Sequence, residues 1–221
     1  DSISTFYKVP DEFENSRKML NKGLAEAIFA NKVLLVEGPS EELLFSKVLS
    51  VVHPFYESDG IFILSVDGIG FDSYFSILDE LKIFNIVKTD NDLRKPKDSE
   101  KYSVLGFSRC NGYIGEKLLP TDQIDEGTVA AKKALYEKSQ KTLDHIRKTY
   151  HIYLSKVDLE NDLDEALHER LAILLDTDEP ISYLQSSKHY HMVELVKKLS
   201  DDDCQVIYNH YNFACLKEVS E

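Results

Sequence analysis

Residues 32–41 read Lys32-Val33-Leu34-Leu35-Val36-Glu37-Gly38-Pro39-Ser40-Glu41, and this stretch decides the fold. The apolar run Val33 to Val36, closed by an acid and a Gly-Pro pair, describes a short strand buried on both faces, as in a parallel sheet covered by helices. Pro39 ends the strand, and Ser40 is expected to cap a helix. That helix carries Glu41 and Glu42 in its first turn, where acids suit the positive end of the dipole, and turns Leu43, Leu44, Val48 and Leu49 inward.

Working outward, the same strand-then-helix unit recurs. Ile61 to Val66 reads as a second strand ending at Asp67-Gly68-Ile69-Gly70, followed by a helix from about Asp72 to Leu81 with Tyr74, Ile77 and Leu78 inward. Phe84 to Val87 is a third strand, ending at Thr89-Asp90-Asn91-Asp92. His151 to Leu154 is a fourth, running into Ser155-Lys156-Val157-Asp158-Leu159-Glu160 and a helix that buries Leu163, Ala166, Leu167 and Leu171. Alternation of this kind favours right-handed crossovers, a mainly parallel sheet of about four strands, and functional loops at the carboxyl ends of the strands.

The remaining segments are read around that α/β unit. Met19, Leu20, Leu24, Ala27 and Ile28 recur at helical spacing, so residues 1–31 are expected to form a lead-in helical segment. Residues 32–180 form the main domain, with an insertion at about 95–150. Within it, Arg94 to Pro120 carries Gly106, Gly112 and Gly115 and reads as loop, and a basic amphipathic helix follows. Lys188 to Leu199 and Cys204 to Phe213 read as helices packed on the end of the sheet, in a C-terminal extension over 181–221.

Composition narrows the function classes. The chain has 221 residues, 43% hydrophobic and 29% charged, enough for one sizeable core. No run of 18 apolar residues and no signal-like N-terminus occurs, so neither a membrane partner nor secretion is expected. Cys110, Cys204 and Cys215 form no CxxC pair, which suits a reduced, cytoplasmic protein with no disulfide. Asp1 in place of Met suggests a piece of a longer protein. The formal charge of −13 argues against capture of nucleic acid by the whole surface. Locally the balance reverses, with seven Lys or Arg between Lys132 and Lys156 against Glu137 and Asp144.

Acids close three of the four expected strands: Glu37, the pair Asp90 and Asp92, and the pair Asp158 and Glu160. Each has an ordinary explanation alone. Asp90-Asn91-Asp92 suits an Asx-rich turn, Glu41 suits a helix dipole, and Asp158 suits an N-cap. Together they crowd one rim of a parallel sheet, where carboxylates repel unless a divalent cation neutralises them.

Leu34-Leu35-Val36-Glu37-Gly38-Pro39-Ser40-Glu41, Val66-Asp67-Gly68-Ile69-Gly70-Phe71 and Thr89-Asp90-Asn91-Asp92-Leu93-Arg94 resemble, in this order, the Toprim domain of OLD-family (overcoming lysogenization defect) nucleases. The resemblance implies a Rossmannoid Toprim-like sheet and two Mg²⁺ or Mn²⁺ ions. As metal ligands it implies Glu37, Glu41, Asp90, Asp92, Asp158 and Glu160, with Glu37 or Glu41 also the candidate proton acceptor. Lys188 is the candidate for the family's C-terminal lysine. It further implies DNA phosphodiester hydrolysis, a role in phage defence, and an N-terminal ABC-type ATPase, of which this chain holds no GxxxxGK[ST] motif. Lys132, Lys133, Lys141, Arg147 and Lys148 are the candidate phosphate contacts. His189 and His191, two apart at a helix start, are not expected to be ligands. A phosphoacceptor module using Asp90, or a non-catalytic docking module, are the competing readings.

Overall fold

The computed structural model describes residues 22–66 and 71–221. Met19, Leu20 and the stretch Asp67-Gly68-Ile69-Gly70 lie outside the described residues. In chain order the elements are α1 (Lys22–Ala27), β1 (Lys32–Val36), α2 (Pro39–Val52), β2 (Ile61–Ser65), α3 (Phe71–Glu80) and β3 (Phe84–Thr89). Then come β4 (Leu93–Arg94), β5 (Ser103–Val104), α4 (Leu105–Ile114), α5 (Val129–Lys138), α6 (Gln140–Tyr150) and β6 (Ile152–Leu154). The chain ends with α7 (Leu159–Leu167), α8 (Glu169–Leu175), α9 (Pro180–Ser186), α10 (Lys188–Lys198), α11 (Asp201–Asn209), a 3-10 turn (Tyr211–Phe213) and α12 (Ala214–Ser220).

The fold is α/β. β2, β1, β3 and β6 lie side by side in that order, every neighbouring pair parallel, with Val33 opposite Phe62, Leu34 opposite Ile86, and Val87 opposite Ile152. Period-2 alternation divides the apolar run of β1 between two cores. Leu34 and Val36 join Ile61, Ile63, Ile86 and Tyr153 beneath α2 and the helices from α7 onward. Val33 and Leu35 join Leu64, Val87, Ile152 and Leu154 beneath α1, α3, α4, α5 and α6. A strand flanked on both faces has no polar side to offer, which is why its sequence is continuously apolar.

Several expectations need correction. Ser40 does not cap α2: Gly38 occupies the N-cap without a side-chain bond, Pro39 takes the first helical position, and Ser40 is buried in the first turn. Pro at that position loses no hydrogen bond, because its missing N–H would be an orphan there. The segment Arg94 to Pro120 is loop only in part. It forms a small antiparallel pair, β4 with β5, and the ten-residue helix α4, whose Phe107 and Cys110 are fully buried. The glycines that suggested a loop have separate uses. Gly115 closes α4 in the left-handed conformation, and Gly106 lets the helix approach the Asp90-Asn91 backbone, where an added Cβ would stand 2.7 Å from the Asp90 carbonyl oxygen.

The basic stretch is two helices rather than one, broken at Ser139. The helix carrying Leu163 to Leu171 is likewise two, broken at His168, which has a positive φ of 50°. The C-terminal helices do not sit on the end of the sheet. They pack with α2 against one face, Met192, Leu195, Ile207 and Leu216 sharing a core with Leu34 and Ile86. In the lead-in segment Leu24 and Ala27 are buried as expected, whereas Ile28 is exposed beyond the end of α1. All three cysteines are free and buried, so Cys204 and Cys215 form no bridge.

Candidate functional site

The site grows from the carboxyl ends of β1, β3 and β6. Glu37 follows β1 directly, and its Oε1 accepts from the Thr89 hydroxyl (2.5 Å), the Asp90 backbone N–H (2.9 Å) and the Arg109 guanidinium (2.9 Å). One carboxylate oxygen thus ties the end of β1 to the end of β3 and to α4. In the turn after β3, Asn91 is fully buried and structural. Its side-chain N–H groups donate to the carbonyls of Lys132 (3.2 Å) and Lys156 (3.0 Å), and its backbone N–H to Val157 (3.1 Å). The flanking acids are thereby fixed, Asp90 buried and Asp92 half-exposed.

The opposite wall comes from α7 and α10. Asp158 is the N-cap of α7: its Oδ1 accepts from the Asn161 backbone N–H (2.9 Å) and side-chain amide (2.7 Å), and its Oδ2 from Gln185 (2.9 Å). Glu160, in the first turn, is buried, with Oε1 3.6 Å from the Lys188 ammonium and Oε2 without any hydrogen-bond partner. Glu37, Glu41, Asp90, Glu160, Lys188 and His189 line one crevice of about 230 Å³. His191 turns elsewhere, donating to the Tyr183 carbonyl (2.6 Å) and stacking on the Tyr183 ring.

Crowding shows in the electrostatics. Burial, with Glu37 and Glu160 adding to it, pushes the Glu41 carboxyl up from 4.5 to about 7 against the opposing effects of its own backbone hydrogen bond and Lys188. Asp90 is raised well above the ordinary range, by burial first and then by Glu37, Glu41 and Asp158. Glu160 is also raised by burial, with Lys188 opposing. Burial lowers the Lys188 ammonium, but Glu160, Asp90, Asp158 and Glu41 together outweigh it and hold the pKa above its usual value. These shifts have one physical source, a set of desolvated carboxylates with too few cations among them.

Sequence reasoning missed Arg109. From α4 it reaches Glu37 Oε1 (2.9 Å), Asp92 Oδ2 (2.6 Å) and the Asp90 carbonyl (2.9 Å). The helical spacing of Phe107, Cys110 and Ile114 was the available signal, obscured by three glycines in ten residues around it.

The expected phosphate contacts divide. Lys141 and Lys148 are exposed, and Lys132 is half-buried beside the Asn91 turn. Lys133 is spoken for by Glu165 (3.0 Å), which also binds Lys156 (2.6 Å). Burial raises that carboxyl, but hydrogen bonds from Lys156, Lys133 and Asn212 outweigh it and hold Glu165 at about 2. Arg147 requires correction: it is buried, donating to the Tyr136 hydroxyl (2.8 Å) and the Tyr211 carbonyl (3.2 Å), with its guanidinium 4.0 Å from the Tyr211 ring centre. A guanidinium so enclosed serves packing and is not presented to a phosphate.

Among the described residues no three His, Cys, Asp or Glu side chains form a ready cage for a metal ion. The donor set nevertheless fits a hard divalent cation: oxygen ligands only, an orphaned buried Glu160 Oε2, and Glu41 and Asp90 destabilised as anions.

A parallel sheet with an acid closing its first strand and an Asp-x-Asp closing its third is the arrangement that the Toprim resemblance implied. Residues 28–92 match the family model described as overcoming lysogenization defect protein-like, TOPRIM domain, so the chain carries an OLD-like Toprim domain. It is 41% identical over 227 residues to Endonuclease GajA of Bacillus cereus (strain VD045), a match that covers 98% of this chain and 39% of that protein. The chain therefore spans well under half the length of that relative. Solved structures of OLD protein C-terminal regions are also similar. That from Burkholderia pseudomallei has 16% identity and a TM-score of 0.49, covering 87% of this chain and 98% of that one. That from Xanthomonas campestris pv. campestris has 16% identity and a TM-score of 0.45, covering 88% and 92%. The α/β assignment itself rests on the sheet order and register given above.

Proposed function

We propose that this chain is the nuclease part of a divalent-metal-dependent DNA endonuclease. The observation that carries the reading is the crevice in which Glu37, Glu41, Asp90 and Glu160, from separate elements, crowd together beside Lys188. Unneutralised carboxylates in that number cost stability, and a cation site is the ordinary reason for a protein to retain them. The relative's designation as an endonuclease supports the same chemistry.

In this reading Glu37, Glu41, Asp90, Asp92 and Glu160 would hold two Mg²⁺ or Mn²⁺ ions, with Asp158 at the margin. Bound ions of this kind activate a water and stabilise the leaving oxygen of a phosphodiester. Glu37 or Glu41 accepts the water's proton. Lys188, held protonated among acids, offsets negative charge growing on the phosphate. Lys132, Lys141 and Lys148 contact the DNA backbone, with Lys133 available only as it releases Glu165. A cytoplasmic setting, an ABC-type ATPase region elsewhere in the full protein and a role in phage defence complete the proposal.

Plasmid nicking tests it. Wild-type protein with Mg²⁺ or Mn²⁺ converts supercoiled plasmid to open circles and loses that activity in EDTA. Asp90→Ala and Glu37→Ala each reduce it by at least about 10²-fold while circular dichroism stays unchanged. Full activity in both variants refutes the assignment.

A further inference from the structure

We propose that Arg109 is a built-in counter-cation, occupying the position of the second divalent ion until that ion displaces its guanidinium. The inference rests on the metal-dependent reading above and adds an order of filling to it.

The acidic rim has a resident cation at each end. Lys188 stands 3.6 Å from Glu160 on the α7 side. On the α4 side Arg109 spans Glu37 Oε1 (2.9 Å) and Asp92 Oδ2 (2.6 Å), its two terminal nitrogens taking one acid each. Glu41 and Asp90, between these ends, line the open crevice with Glu37 and Glu160, and Asp92 is not among the lining residues. A first divalent ion thus finds oxygen ligands that no arginine occupies. A second would need Glu37 and Asp92, the two carboxylates that Arg109 already joins.

The fork is placed by its helix. Gly106, one turn earlier on α4, donates its N–H to the Asp92 carbonyl (3.0 Å) and lies so near the Asp90-Asn91 backbone that no Cβ fits. The helix is therefore anchored to the acidic turn independently of Arg109, and only the side chain need move. It has a way out, since it is about a quarter exposed and its Nε, buried without a partner, adds no bond to hold it. A doubly charged ion attracts each carboxylate about twice as strongly as a monovalent guanidinium at similar distance, set against the larger cost of shedding its water.

Mn²⁺ binding by calorimetry tests this on wild type, Arg109→Gln and Arg109→Lys, with thermal melting as a check on folding. Wild type takes up one ion tightly and a second more weakly. Arg109→Gln tightens the second by about tenfold, and Arg109→Lys, which keeps the charge but not the fork joining two acids, tightens it less. A role confined to holding the fold would not raise metal affinity. A second-ion affinity that is unchanged or weaker in Arg109→Gln overturns the proposal. Binding in neither protein overturns both this proposal and the metal-dependent reading. Binding in Arg109→Gln but not in wild type would mean that the guanidinium blocks the site without being displaced, which overturns the proposal. If Arg109→Gln lacks a melting transition, Mg²⁺ titration of wild type decides, followed on the arginine Nε–H signals by NMR. The Arg109 signal must move as the second ion binds, while that of Arg147, whose Nε is likewise buried and unpartnered, stays still; a motionless Arg109 signal overturns the proposal.

Discussion

Glu41 sits in the first turn of α2, where the helix dipole welcomes an acid, yet its carboxyl is pushed up to about 7 by burial and by Glu37 and Glu160. A carboxyl whose folded pKa exceeds its unfolded value of 4.5 is costly once charged. The penalty is absent below about pH 4.5, grows as pH rises toward 7, and is complete above it. Glu41→Gln removes that cost. In EDTA at pH 8 the variant should be more stable to urea than wild type by about 1–3 kcal/mol, and at pH 4 equal to it. An identical shift at both pH values would mean that the gain is packing rather than relief of charge. The acid itself was legible in the sequence, but its environment was not, because burial depends on α7 and α10, whose residues begin more than a hundred positions later.

At the scale of the element, α4 converts a polar, glycine-bearing stretch into a wall of the site. Gly106 and Gly112 lie in the same helix with opposite surroundings: a Cβ at Gly106 meets the Asp90-Asn91-Asp92 backbone, whereas one at Gly112 meets nothing within 4 Å. Gly106→Ala should therefore destabilise by about 1–3 kcal/mol and lose nicking activity as α4 is pushed from the acidic turn. Gly112→Ala should instead stabilise by about 0.5–1 kcal/mol through helix propensity. Urea melts of the pair check this, and destabilisation of equal size at both sites would show that propensity arguments, not the close approach, govern α4. Counting glycines led to a loop because composition does not distinguish a glycine needed for flexibility from one needed for contact.

Across the whole molecule, the sheet is joined to the C-terminal helices by a buried ion pair. Lys88 of β3 lies 2.6 Å from Asp162 of α7 and donates to the Asn212 carbonyl (3.1 Å), with both charged side chains at most 2% exposed. Lys88→Met should cost about 3–5 kcal/mol by leaving Asp162 charged and alone, and the double variant Lys88→Met with Asp162→Leu should recover most of it. Urea unfolding of the three proteins measures this, and a double variant as unstable as the single one would contradict it. What the sequence by itself determined was the α/β plan and the acids at the strand ends, because strand burial and strand-helix alternation are written in local periodicity. The tertiary structure alone decided which acids share a crevice, that Arg147 faces inward and that Arg109 faces the acids. Those outcomes depend on which distant elements meet across the sheet, and no local pattern of residue types encodes a distance between segments that fold together from opposite ends of the chain.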